Sequence, residues 1–328
     1  MYGIETTVDA LAVSSLTMVS FGALAFMLLL FVPAPYGRYQ TVSGAAYSLG
    51  LPDVPGPAAW LLQECPAFFC FIYQWYASPA PAAHALTPNT VLLLMFSAHY
   101  FNRSFVYPLR LVGGKSTPVG VFLMALVFCV WNGTAQGVYL ARVAQWGGSA
   151  AEAMLSPRFL GGVLLGALGA LVNLEADAIL RGLRKPGDKG YYIPRVGGLP
   201  AAPRARAPAP AEPHPPPPPP PPPNHRHHHH HPQGGAFELV SGANFFGEIL
   251  EWAGFAIAAY APLQGLSPAL ASLQQLPVAG LLLHPAVAFA VFTFCNIAPR
   301  GAQHHANYKK RFGAAYPAHR YAVIPFLW

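Results

Sequence analysis

Five of the twelve carboxylates in this chain, Glu64, Glu175, Asp177, Glu248 and Glu251, fall inside or at the ends of stretches otherwise made of leucine, alanine, glycine and aromatics. An acidic side chain at the centre of a hydrocarbon layer costs about 2.5–3.5 kcal/mol on insertion scales, so such residues face a bundle interior and serve a function. Glu64 stands beside Gln63, and a turn after Trp60, in "PAAWLLQECPAFFCFIYQWYA". In "HYFNRSFVYP", Tyr100, Arg103 and Tyr107 share one helical face at i, i+3 and i+7. A tyrosine in such a segment is a packing element or an interfacial anchor. One that meets Glu64 would form an acid pair able to donate a hydrogen bond to a carbonyl.

Two further polar stripes have helical spacing. Asn173, Asp177, Arg181 and Arg184 recur at i, i+4, i+8 and i+11, placing an amide, an acid and two guanidinium groups on one face. Guanidinium forks suit phosphate, so this face reads as an anion-binding surface or as a helix end snorkelling to headgroups. Asn244, Glu248 and Glu251 repeat at i, i+4 and i+7, and either pair with the arginine stripe or bind a ligand's polar groups. The tail adds Arg300, His304, Tyr308 and Arg320. Its run Lys309–Arg311 reads as a headgroup contact.

Other patterns fail on inspection. "VGGKST" lacks the first glycine of a phosphate loop, since that position is Leu109, and no dinucleotide fingerprint is present. Cys65, Cys70, Cys129 and Cys295 lie in apolar segments with no C-x-x-C pair, which suits packed thiols and neither a disulfide frame nor a zinc site. The sequons at Asn102 and Asn132 lie in or beside apolar spans, so glycosylation is not expected. No metal site is expected: the histidine run 227–231 has no fixed scaffold.

The elements that must hold these groups are apolar helices. A chain that is 54% hydrophobic and 9% charged is far from the soluble balance of about 25% charged residues. The expected fold is all-α, a polytopic membrane bundle of about seven helices near 11–32, 57–76, 88–107, 118–141, 158–180, 244–263 and 277–298. The flank before the first span has Glu5 and Asp9 and no basic residue, which suits a retained span rather than a cleaved signal. The formal charge of +7 points to topology and not to nucleic acid. Of the 19 Lys and Arg, all but Arg142 and Arg158 fall on one face, which the positive-inside rule makes cytosolic. The amino terminus is then lumenal and the carboxyl terminus cytosolic. Residues 1–328 read as one membrane domain, interrupted by a Pro/His-rich stretch at 195–231 that reads as a disordered cytosolic insertion.

With these residues located, the chain resembles the steroid 5α-reductases, the 3-oxo-5α-steroid 4-dehydrogenase family, leaning to the type 1 form. The blocks that carry the likeness are "PAAWLLQECPAF", "HYFNRSFVYP", "GGK", "FCVWNG", "LEADAILRGLRKPGDKGYYIP", "GGAFELVSGANFFGEILEWAGFA" and "QHHANYKKRF", followed by "YP" and "AVIPFL", in family order from about Tyr36. The resemblance implies NADPH-dependent reduction of the 4,5 double bond of a 3-oxo-Δ4-steroid, such as testosterone or progesterone, with hydride delivered to the 5-position. It implies Tyr100 and Glu64 as the catalytic pair polarising the 3-keto group, with Trp60 and Gln63 beside the substrate. It implies a cofactor pocket from Tyr36, Arg38, Lys115, Asn173, Asp177, Arg181, Arg184, Tyr191, Asn244, Glu248, Arg300, His304, Tyr308 and Arg320. An endoplasmic reticulum membrane location follows, with substrate entering from the bilayer and no obligate protein partner.

Departures from the family pattern matter. The family's "NIHSD" is "NLEAD" here, so Glu175 adds an acid near a phosphate-rich cofactor, which is unfavourable unless it points away. The 195–231 stretch separates blocks nearly contiguous in the family, and 266–285 reads as a second added stretch. A polyprenol or trans-2-enoyl-CoA reductase is the nearest enzyme alternative. A sterol or lipid transporter, or a catalytically dead binding protein, is the alternative of another class, since intramembrane carboxylates also mark transport paths.

Overall fold

The computed structural model describes residues 2–34, 47–78, 86–111, 115–183 and 235–328. Tyr36, Arg38, Arg184, Tyr191 and the stretch 195–231 lie outside the described residues. Helix α1 spans Tyr2–Phe31, α2 Gly56–Tyr76 and α3 Pro88–Phe101, the last continued by a single wide turn over Asn102–Val106. Helix α4 spans Val119–Val138 and also ends in a wide turn, Tyr139–Val143. There follow α5 (Ala150–Leu155), α6 (Pro157–Gly182), α7 (Ala243–Ala259), α8 (Pro268–Gln274), α9 (Pro277–Leu282) and α10 (Pro285–Phe312). Among the described residues there is no sheet, only the bridges Val54–Thr117 and Val240–Tyr321.

Among the described residues, three segments are long and apolar enough to cross a membrane: Thr6–Phe31, Val119–Val143 and Pro157–Gly182. Their chemistry is that of helices without water. The hydroxyls of Ser15, Thr17 and Ser20 each bond the carbonyl four residues back, at 2.8 Å, satisfying a donor that lipid cannot. In α2, Pro66 offers no N–H to the Leu62 carbonyl, and the Cys65 thiol approaches that carbonyl at 3.8 Å. The stretch read as one span over 277–298 is instead two elements. His284 caps α10 by accepting from Ala286 N, and Pro285 stands at the first turn, where its missing N–H costs nothing. Residues 266–285 are built in: Gln274 bonds both the N–H and the carbonyl of Leu263 at 3.1 Å, and Ser267 N donates to Asp9 at 2.9 Å.

The packing that matters most for the polar residues is α6 against α7. Gly162, Gly166 and Gly169 of one face Gly247, Gly254 and Ala258 of the other in descending order, so the helices run antiparallel. A Cβ on Gly169 would overlap the Glu251 backbone, and one on Gly254 would overlap Gly166. In lipid, where apolar burial does not drive helices together, such small-residue seams let backbones approach closely. A second close approach joins α2 and α4, where a Cβ on Gly133 would strike the Ala67 backbone. The core between these pairs is aromatic: Phe71 stacks on Phe96 at 4.3 Å between centroids, and Trp252 lies 4.5 Å from Phe289.

Candidate active site

The α6–α7 seam fixes the polar stripes. Continuing it by one turn sets Asn173 against Asn244, whose carbonyl accepts from Asn173 Nδ2 at 2.8 Å, with the Asn244 side chain close to Asp177. Two turns further along α7, Glu251 is buried and pairs with His99 of α3 at 3.0 Å. The two stripes therefore meet each other and also reach α3.

Arg103 stands at the crossing. Its guanidinium lies 3.5 Å from Asp177, 4.4 Å above the Trp60 ring and 5.1 Å from the Tyr107 ring. Glu248 and Glu64 lie within its electrostatic reach. Arg181, at the end of α6, also faces Tyr107, at 5.6 Å. The wide turn at Asn102–Val106 carries this arginine, and such single-turn insertions recur at functional sites. Helical spacing puts Arg103 on one face with Tyr100 and Tyr107; in space it also joins α2, α3 and α6 at one cation.

Tyr100 is buried, with Phe96 at 4.7 Å and Trp252 at 6.0 Å. Its hydroxyl accepts from Asn132 Nδ2 at 3.1 Å. Glu64, half-buried, takes the thiol of Cys129 at 3.8 Å. Cys129 and Asn132 are neighbours on α4, so Glu64 and Tyr100 open onto one polar patch and lie within electrostatic reach. No hydrogen bond joins Tyr100 to Glu64 directly among the described residues. Gln63 is buried nearby with its Oε1 unpaired, and Trp60 packs edge-on against Tyr107 at 5.2 Å.

The tail residues form a second group, on α10. Arg300 lies 5.3 Å from the Phe245 ring, and His304 stacks on the same ring at 5.6 Å. Tyr308 stacks on Tyr316 at 5.7 Å, and the Arg320 guanidinium lies 5.7 Å from the Tyr316 ring. Arg320 has a fully buried side chain, 3.4 Å from Glu238, and its Nε and Nη1 have no hydrogen-bond partner. A buried guanidinium with two idle nitrogens is costly unless an anion meets it. Together with flat aromatic faces and the Asn173–Asp177–Asn244 cluster, the donor set fits a phosphate-bearing cofactor with rings. Glu175 is exposed while Asn173 and Asp177 are buried, so the extra acid points away. Lys115 is exposed in the loop before α4.

Several residues of the site carried no functional mark in the sequence reading: His99, Asn132, Gln136, Cys129 and Ser241. Ser241 bonds His305 and, at 2.7 Å, the Tyr316 hydroxyl. For Asn132 a signal existed, because an amide in the middle of an apolar span has the same claim to attention as a carboxylate.

Comparison with known proteins agrees with the resemblance. The family profile described as 3-oxo-5-alpha-steroid 4-dehydrogenase matches residues 115–200, 223–285 and 278–328. The chain is 36% identical over 309 residues to 3-oxo-5-alpha-steroid 4-dehydrogenase 1 of Bos taurus, covering 94% of this chain and 93% of that one. It is 36% identical to 3-oxo-5-alpha-steroid 4-dehydrogenase 1 of Homo sapiens, covering 84% and 81%. It is also 36% identical to 3-oxo-5-alpha-steroid 4-dehydrogenase 2 of Sus scrofa, covering 96% and 95%.

Proposed function

Because the chain belongs to the 3-oxo-5-alpha-steroid 4-dehydrogenase family of membrane oxidoreductases, we propose that it reduces the 4,5 double bond of 3-oxo-Δ4-steroids, with NADPH as reductant and Tyr100 as donor to the 3-keto oxygen. The observation that carries this reading is the polarity of Tyr100. Its hydroxyl oxygen accepts from Asn132, which leaves the hydroxyl hydrogen free to be given to a carbonyl. The residue is buried, where such a donor acts at low dielectric and needs no reorganisation as charge develops.

Conjugate reduction builds negative charge on the 3-oxygen, and Tyr100 stabilises that charge. Glu64, held near Cys129, contributes a second polar group on the same patch and completes the catalytic pair with Tyr100. Trp60 and Gln63 line the approach to it. Arg103, although absent from the expected site, holds Trp60 and Tyr107 in place through its cation–π contacts.

NADPH, when bound, supplies the hydride for the 5-position. Asn173, Asp177, Arg181, Asn244, Glu248, Arg300, His304, Tyr308 and Arg320 would hold it, with Arg320 suited to a phosphate by its two unpaired nitrogens. Tyr36, Arg38, Lys115, Arg184 and Tyr191 belong to the same proposal on family likeness alone. The protein is read as a seven-span enzyme of the endoplasmic reticulum membrane, amino terminus lumenal, with 195–231 and 266–285 as insertions in one domain. The direct test is microsomal expression with testosterone and NADPH. Appearance of the 5α-reduced 3-oxosteroid, dependent on NADPH, supports the assignment; NADPH-independent loss of substrate to another compartment would overturn it in favour of transport.

A further inference from the structure

Tyr100 is the end of a chain of buried amides. Gln136 Nε2 donates to the Pro285 carbonyl at 3.0 Å and to Asn132 Oδ1 at 3.2 Å. Asn132 Nδ2 in turn donates to the Tyr100 hydroxyl at 3.1 Å. Asn132 and Gln136 have no exposed surface, and they sit one turn apart on α4, facing the first residue of α10.

The direction of every bond in this chain follows from its first acceptor. A backbone carbonyl only accepts, so the Gln136 amide must turn its NH2 toward Pro285. That NH2 has two hydrogens and spends the second on Asn132, which must therefore present its oxygen. Gln136 Oε1 is left without a protein partner, the cost of holding this orientation. With its oxygen committed to Gln136, Asn132 has only its NH2 for Tyr100, and the hydroxyl must accept.

We infer that Asn132 and Gln136 are positioning residues whose fixed polarity, set by the Pro285 carbonyl, makes Tyr100 a hydrogen-bond donor toward the substrate ketone. The inference rests on the reading of Tyr100 as the ketone donor. It assigns a role to two residues that touch no reacting atom, and it ties the donor's direction to the seating of α10 on α4.

Asn132→Asp separates polarity from packing. In that variant a protonated carboxyl accepts from Gln136 and donates to Tyr100, as the asparagine amide does; an ionised one only accepts and reverses the last bond. The ionisable groups around this position are Tyr100, Glu64, Cys129 and Glu248, with His99 against the Tyr100 ring at 5.2 Å. The turnover of Asn132→Asp should thus fall about tenfold to a hundredfold as pH rises through an ionisation that wild type lacks, with little change in steroid KM. Asn132→Leu should be low at every pH. A second readout needs no reductant: the infrared carbonyl stretch of bound testosterone should shift upward in Asn132→Leu, and in Asn132→Asp only at high pH.

Tyr100→Phe is run beside them. Full activity in Tyr100→Phe sinks the donor reading itself. A slow Tyr100→Phe with Asn132→Leu at wild-type turnover overturns the positioning role alone. An Asn132→Asp enzyme that binds testosterone normally but is slow at all pH values also overturns it, since that is the behaviour of a merely structural asparagine. Should Asn132→Asp fail to accumulate, Gln136→Glu carries the same test. Its ionised form cannot donate to Pro285, and a carbonyl stretch insensitive to pH would refute the relay.

Discussion

The α6–α7 seam makes a sharp prediction, because adjacent glycines on one helix have opposite surroundings. A Cβ on Gly162 would overlap the backbone of Gly254 and Ala258, and one on Gly169 that of Glu251 and Gly247, whereas a Cβ on Gly161 meets nothing within 4 Å. Backbone cannot swing aside as a side chain can, so Gly162→Ala or Gly169→Ala forces the helices apart. Overpacking of this kind costs about 1–3 kcal/mol. At Gly169 the separation also strains the Asn173–Asn244 bond at 2.8 Å, worth about 1 kcal/mol more. At Gly161 the same change removes only glycine's helix penalty and should stabilise by up to about 1 kcal/mol. Thermal unfolding of the detergent-solubilised protein reads both: the seam variants should melt several degrees below wild type and Gly161→Ala at or slightly above it. NADPH affinity should fall in Gly169→Ala and hold in Gly161→Ala. Identical melting of Gly161→Ala and Gly162→Ala would refute the close-contact argument.

Other expectations follow from the charged groups. Arg103→Met leaves Asp177 buried without its partner, at a cost near the lower end of about 3–5 kcal/mol given the 3.5 Å separation. Arg103→Met combined with Asp177→Asn should recover much of it, as read by thermal midpoint. Arg103→Lys should not restore activity, because an ammonium lacks the planar face that lies over Trp60. At the start of α5, Glu152 bonds the Ser149 N–H and hydroxyl, and these bonds hold its carboxyl below the ordinary value of 4.5. A depressed carboxyl pKa stabilises above the unfolded value and is lost as pH falls through the folded one. The melting difference between wild type and Glu152→Gln should therefore be present at neutral pH and vanish in acid.

Local periodicity and distant contact divide what was legible in the sequence. Helical spacing alone placed Asn173 and Asp177 on one face and Asn244 with Glu248 on another, and the structure sets those faces together. The seam that does so is written in the sequence too, as small residues at Gly162, Gly166 and Gly169, but glycine carries no charge to attract attention. The break at His284 was hidden because apolar residues continue on both sides of it. The wide turn at Asn102–Val106 leaves no periodic signature, so spacing placed Arg103 with Tyr100 and Tyr107 but not against Asp177 and Trp60. The partners of Tyr100 and Glu64, Asn132 and Cys129, lie 32 and 65 residues away, and no spacing rule predicts such a contact.

The most direct measurement compares wild type, Tyr100→Phe and Glu64→Gln for NADPH-dependent reduction of testosterone in microsomes, at matched expression. If Tyr100 donates to the 3-keto oxygen as charge develops, Tyr100→Phe loses about 10²–10³ in turnover, or about 2.7–4 kcal/mol of transition-state stabilisation, with steroid KM little changed. Glu64→Gln also loses turnover. Full activity in both variants would contradict the mechanism.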